Sequence, residues 1–265
     1  MGISSVAPCE RPTTLLLLAN EKTNLDFTNS YPGRNSKGWT VFHYACYFWE
    51  VCENTTECLQ YLVDDHRCHP DLINKKTTEG RTALTNAVSM HDFQAVKILL
   101  NYQGIEFNPE DRTENSPLCI AERAMNDNCL SESHKKSRKE ILDLLKEKAS
   151  IIELCEACKR GEDTTIKEIL SKGEVDVNGT DTHGYPPLFN AVINNHPSTL
   201  KLLLENSDVR LDFVDHQFNN WTALHWACFG SDDNKCTECV EILVNDSRCN
   251  SDLVNSKNTK GDTPI

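Results

Sequence analysis

The chain has 265 residues, and its 40 acidic against 27 basic side chains give a formal charge of −13 and a pI near 5.1, which argues against nucleic acid and anionic membrane as partners held by bulk charge. No stretch approaches the ~18 consecutive apolar residues of a membrane span, so no direct membrane insertion is expected, and the length suits one or two domains with a sizeable core. Thirteen cysteines behind no recognisable secretory leader point to reduced thiols inside the cell, in the cytoplasm rather than the nucleus.

In chain order, residues 1–12 show no apolar periodicity and are expected to be disordered. Met1-Gly2 starts like a myristoylation signal, but Val6 stands where Ser or Thr is required. Residues 13–20, Thr-Thr-Leu-Leu-Leu-Leu-Ala-Asn, then Leu25-Asp26-Phe27, parallel residues 198–206 followed by Leu211-Asp212-Phe213, so the pattern begins halfway through a unit. The first full unit spans 36–77. Its first helix is predicted from Thr40 and its second over 58–64, where Leu59, Leu62 and Val63 share a face. Leu72-Ile73-Asn74 leads out of it. The second unit, 78–113, is the most regular: Gly80-Arg81-Thr82-Ala83-Leu84, Ala87-Val88, then Val96 to Leu100.

Ser116-Pro117-Leu118-Cys119 opens a third unit that is about eleven residues too long before its second helix at 141–145. Polar residues 127–139 are expected to form a loop between its helices, with the basic run 134–139 as a solvated helix start. Residues 146–150 are too few for a hairpin, so one finger is expected to be missing. Residues 151–161 form the first helix of a fourth unit; Ile166, Ile169 and Leu170 carry its second, and Asp176-Val177-Asn178 leads out. A fifth unit, 181–218, opens with Gly184-Tyr185-Pro186-Pro187-Leu188-Phe189, and Leu200, Leu202, Leu203 and Leu204 form its second helix. A sixth covers 219–259. Residues 260–265 begin a seventh, an unfinished unit that suggests part of a longer protein.

Residues 219–228, Asn-Asn-Trp-Thr-Ala-Leu-His-Trp-Ala-Cys, repeat residues 37–46, Lys-Gly-Trp-Thr-Val-Phe-His-Tyr-Ala-Cys, at a distance of 182. The opening positions Thr40, Thr82, Ser116, Ile152, Pro186, Thr222 and Thr263 lie 42, 34, 36, 34, 36 and 41 residues apart. Thr-Ala-Leu-His is close to the Thr-Pro-Leu-His that opens an ankyrin repeat, and the spacing is near that family's ~33; the chain resembles the ankyrin-repeat family. The resemblance implies an all-α fold, an α-solenoid of stacked ankyrin-type helix–turn–helix repeats with short β-hairpin fingers. A break near residue 150 would separate a first stack, 13–149, from a second, 150–265, truncated within a repeat. The two long intervals carry matching segments, Asp65-His66-Arg67-Cys68 and Asp246-Ser247-Arg248-Cys249, each with about four extra residues between its helices and about four in its outgoing loop, which points to duplication of a five-repeat block.

Little in the chain reads as catalytic chemistry. No phosphate loop, nucleophile elbow or His-Glu-x-x-His occurs. Asn54-Thr55-Thr56 and Asn220-Trp221-Thr222 match the glycosylation sequon but carry little meaning without a leader. Cys155/Cys158 and Cys236/Cys239 have Cys-x-x-Cys spacing, yet they lie two repeats apart and occupy apolar positions. His43 and His225 stand at the turn-forming fourth motif position. No enzyme activity, cofactor or metal is expected. The resemblance implies a groove and hairpin tips that bind a protein partner, and the acidity favours a basic surface or peptide. The candidate contact residues are Lys37, Trp39, Tyr47, Phe48, Glu79, Arg81, His183, Tyr185, Phe218, Trp221 and Phe229. Two other readings are the cytoplasmic ankyrin portion of a larger channel, kinase or ubiquitin-ligase adaptor, and a zinc-stabilised structural protein.

Overall fold

The computed structural model describes residues 25–26, 28, 38–47, 55–126, 132–216, 218–229 and 237–265. The chain divides into two compact units, Met1–Lys146 and Glu147–Ile265. The first contains α1 (Val41–Tyr47), α2 (Thr55–Asp64), the single turn α3 (Pro70–Ile73), α4 (Ala83–Ser89), α5 (Phe93–Asn101) and α6 (Pro117–Met125). α7 (Glu132–Arg160) is one helix of 29 residues, and the division falls within it. Next come α8 (Asp163–Ser171), α9 (Pro187–Ile193), α10 (Pro197–Leu204), the two-residue strands β1 (Val214–Asp215) and β2 (Trp221–Thr222), α11 (Ala223–Phe229), α12 (Thr237–Asn245) and the single turn α13 (Ser251–Val254).

Each unit is a helical-repeat stack of the solenoid type. In the first unit α1, α4 and α6 form one row and α2 and α5 a second, with α1 against α2 and α4 against α5. In the second unit α9 and α11 form one row, and α8, α10 and α12 the other. Apolar side chains at helical spacing fill the space between rows: Phe42, Leu59, Leu84 and Leu99 in the first unit, and Leu154, Ile166, Phe189 and Leu200 in the second, are all fully buried. Each repeat therefore draws its stability from its immediate neighbours.

The helix starts use local chemistry. Thr82 caps α4 by accepting a hydrogen bond from the Thr85 N–H at 3.3 Å, and Thr85 Oγ1 accepts the Thr82 N–H at 2.9 Å. Ser116 holds the cap position of α6, but its hydroxyl makes no capping bond; Pro117, with φ preset in the first turn, begins that helix. Tight turns precede the first helices. Thr77, Asp181 and Asn258 each accept two backbone N–H groups from residues two and four positions on. Gly80, Gly184 and Gly261 take the left-handed position of these turns, with φ of 77°, 85° and 87°. In the sixth repeat Asn220 holds that position at φ 59°, and there the finger becomes an antiparallel ladder pairing Val214 with Thr222 and Asp215 with Trp221.

The expected loop over 127–139 is corrected in part. Residues 132–139 begin α7, and residues 127–131 lie outside the described residues. Arg138, in the basic run, is not simply solvated: its guanidinium donates to His91 Nε2 at 3.0 Å and to the Ala124 carbonyl. The segment 146–150, too short for a hairpin, is helical, so the second helix of the third repeat and the first helix of the fourth are continuous. Both long intervals contain their extra outgoing-loop residues as the one-turn helices α3 and α13. Their other extra residues, and the half-repeat at 13–20, lie outside the described residues.

Candidate functional site

The duplicated motif builds the same local structure in both units. Thr40 N–H and Oγ1 approach His43 Nδ1 at 3.1 and 2.9 Å, and His43 Nε2 lies 3.0 Å from the Arg81 carbonyl of the next repeat. Because Nδ1 accepts the backbone N–H, the proton of the neutral ring sits on Nε2 and is donated to Arg81. Burial holds the His43 pKa below its ordinary value, partly offset by the bond to Arg81. His225 repeats the arrangement, with Nδ1 3.2 Å from Thr222 N and 2.8 Å from its Oγ1, and Nε2 3.3 Å from the Asp262 carbonyl. Both rings join consecutive repeats and are spent on structure.

Above each histidine lies an aromatic group. In the first unit Trp39 packs against Tyr44 at 5.2 Å and edge-on against Tyr47 at 4.9 Å. Trp39 is buried, only 8% exposed, whereas Tyr47 is 43% exposed. In the second unit Trp221 meets Trp226 at 4.9 Å and Phe229 at 4.8 Å, and Trp226 meets Phe218 at 5.1 Å and Tyr185 at 6.5 Å. Phe218 and Phe229 are 46% and 67% exposed. Five candidate or neighbouring rings thus make one continuous patch, tilted edge-to-face as ring quadrupoles prefer. The helix beneath it, Ala-Leu-His-Trp-Ala-Cys-Phe, bears no Asp, Glu, Lys or Arg.

The remaining candidates lie at the tips. Glu79 and Arg81 are partly exposed and face each other at 3.7 Å. The His183 and Tyr185 N–H groups are both held by Asp181 Oδ1, and burial pushes the Tyr185 phenol up to about 12. Lys37 and Phe48 lie outside the described residues. Sequence reasoning passed over Trp226, although it is the ring that joins Phe218, Tyr185 and Trp221. The available signal was its place opposite Tyr44 in the duplicated stretch.

The cysteines of the pairs are core residues. Cys155, Cys158 and Cys239 are buried; Cys155 Sγ donates to the Tyr185 carbonyl at 3.5 Å, and Cys239 Sγ to Asn195 Oδ1 at 3.6 Å. Burial pushes the Cys158 thiol up to about 12 and Cys155 well above its ordinary value, which keeps both unreactive. Cys236 lies outside the described residues. Among the described residues no group of three or more His, Cys, Asp or Glu side chains converges as a metal site, and no helix is long and apolar enough to cross a membrane.

Residues 7–111, 48–153 and 154–255 match the family model for ankyrin repeats in three copies. The chain belongs to the ankyrin-repeat family. It is 28% identical over 205 residues to the Saccharomyces cerevisiae protein described as a probable 26S proteasome regulatory subunit, p28, a match spanning 77% of this chain and 68% of that one. It is 28% identical over 139 residues to the ankyrin repeat protein YahD of Escherichia coli, spanning 51% and 67%. A probable serine/threonine-protein kinase of Dictyostelium discoideum is 29% identical over 115 residues, 42% of this chain and 13% of the kinase. In ankyrin terms the Thr-x-x-His network and the hairpin turns are the fold's framework, and the aromatic patch lies over it.

Proposed function

We propose that this ankyrin-repeat chain is a non-catalytic scaffold that binds a protein partner through its first-helix row and hairpin tips. The observation that carries the reading is the patch of Phe218 and Phe229 over Trp221 and Trp226. Exposed aromatics grouped on a surface are costly in water and are enriched where partners dock. The second unit has 20 acidic against 11 basic side chains and the first 20 against 16, so the partner segment is basic. Cys46, Cys68, Cys119, Cys155, Cys158 and Cys249 are free thiols, which suits a reducing compartment such as the cytoplasm. The match to the yeast p28 protein extends over most of both chains and makes the 26S proteasome the first partner to assay.

Binding is measured with the full chain as wild type and as the double variant Phe218→Ala/Phe229→Ala. Truncating two hot-spot rings lowers affinity at least tenfold, while circular dichroism stays unchanged because both rings lie at the surface. Equal binding by the folded double variant overturns the assignment of the patch.

A further inference from the structure

The aromatic group exists twice, and the second copy is a faithful one. Trp39, His43, Tyr44 and Tyr47 correspond to Trp221, His225, Trp226 and Phe229, each pair 182 positions apart. The ring-to-ring distances are retained, and Tyr44 and Tyr47 give way to other aromatic residues, Trp226 and Phe229. Trp39 and Trp221 lie 6.1 and 6.2 Å from their histidines, and 4.9 and 4.8 Å from Tyr47 and Phe229. In each unit the tryptophan is the less exposed ring, and the ring at the end of the helix, Tyr47 or Phe229, is the open one. α1 and α11 both lack Asp, Glu, Lys and Arg. The loops downstream match as well: Asp65 and Asp246 each hold an arginine two residues on through paired bonds of 2.7–2.8 Å.

Framework duplication accounts for the threonine and histidine, since any ankyrin repeat gains from that network. It does not account for the terminal aromatic ring, which other repeats do without. The equivalent place in the second repeat holds Ser89, and in the fifth Ile193. An exposed ring over a less exposed tryptophan recurs at these two repeats, which points to a recognition element kept in duplicate.

We propose that the chain is bivalent: Tyr47 with Trp39, and Phe229 with Trp221, each receive one of two similar segments of a single protein partner. The proposal rests on the scaffold reading. Each segment presents Arg or Lys, because both units carry net negative charge and a cation set on an aromatic face gains cation–π attraction. Two modest contacts joined in one partner act as one strong one, raising avidity by about 10²–10⁴.

The test uses the full chain carrying the photo-crosslinking residue p-benzoylphenylalanine at position 47 in one preparation and 229 in another, each checked for folding by circular dichroism. Both are illuminated in extract of the source cells, and labelled peptides are mapped by mass spectrometry. The expected result is one protein captured from both positions, through two different segments that both contain Arg or Lys. The affinity of that protein then falls about 10²-fold with either Tyr47→Ala or Phe229→Ala. Capture from one position only, or of unrelated proteins from the two, overturns bivalency and leaves the scaffold reading standing. Capture from neither position overturns both.

Discussion

His43 is a neutral, buried hinge-pin whose two nitrogens are committed to Thr40 and to Arg81. Its folded-state pKa is lower than its ordinary value because burial disfavours the charged ring. The unfolded chain therefore binds the proton more readily than the folded one between the ordinary value, about 6.5, and the depressed one. The contribution of His43 to stability is fully present above about pH 6.5 and is lost as pH falls towards its folded pKa. Thr85 shows what can take its place: a hydroxyl that accepts the Thr82 N–H and donates to the Thr82 carbonyl at 2.8 Å, with no titrating group. His43→Thr is expected to lower stability at pH 7.5 by about 1–2 kcal/mol, through loss of the bond to Arg81 and of buried ring surface. It is also expected to narrow the difference in urea midpoint between pH 7.5 and pH 5.5. An unchanged pH dependence in the variant sinks the account.

Between elements, the connectors are polar side chains that reach the backbone of a neighbouring repeat. Asn74 donates to the Gly104 carbonyl at 2.7 Å and accepts the Glu106 N–H at 2.8 Å; Asn178 does the same with Asp208 and Arg210, at 2.8 Å each. Arg248 is anchored on Asp246 and donates to the carbonyls of Leu204, the last residue of α10, and of Asn206 and Val209 in the loop that follows, at 2.9–3.1 Å. Arg248→Lys keeps the charge but loses the planar fork, and is expected to cost about 2 kcal/mol in denaturant unfolding. Asn178→Ala is expected to cost about 1–2 kcal/mol and to speed amide exchange at Arg210 selectively. The positions of these residues were legible, because Asn74 and Asn178 end similar tripeptides and Arg67 and Arg248 lie in matched segments. Their roles were not, since the acceptors lie 30 or more residues away and are backbone groups, which sequence type does not mark. The start of α7 was read only in part, as a loop over 127–139 with a helix start at 134–139, because its first turns are polar throughout and a polar helix has no apolar stripe to announce it.

At the scale of the whole molecule, repeat spacing made the helical rows readable, whereas the patch was readable only in part. Phe218, Trp221 and Phe229 stand out by type, but Trp226 joins them through packing that one copy of the motif does not reveal. The chain divides at Lys146 and Glu147, and we propose that the two units unfold as separate cooperative blocks. Stability in a repeat stack is a sum of nearest-neighbour terms, so damage spreads only as far as packing couples it. Phe189 is fully buried in the core of the second unit, in contact with Phe213 at 5.4 Å and packed with Leu188, Val192 and Leu200. Phe189→Ala is expected to cost about 3–5 kcal/mol. Hydrogen exchange then resolves the question: amides of α9, α10 and α11 lose protection, while those of α4 and α5 keep theirs. Equal loss of protection in α4 and α5 means that the units fold as one block, and the proposed division fails.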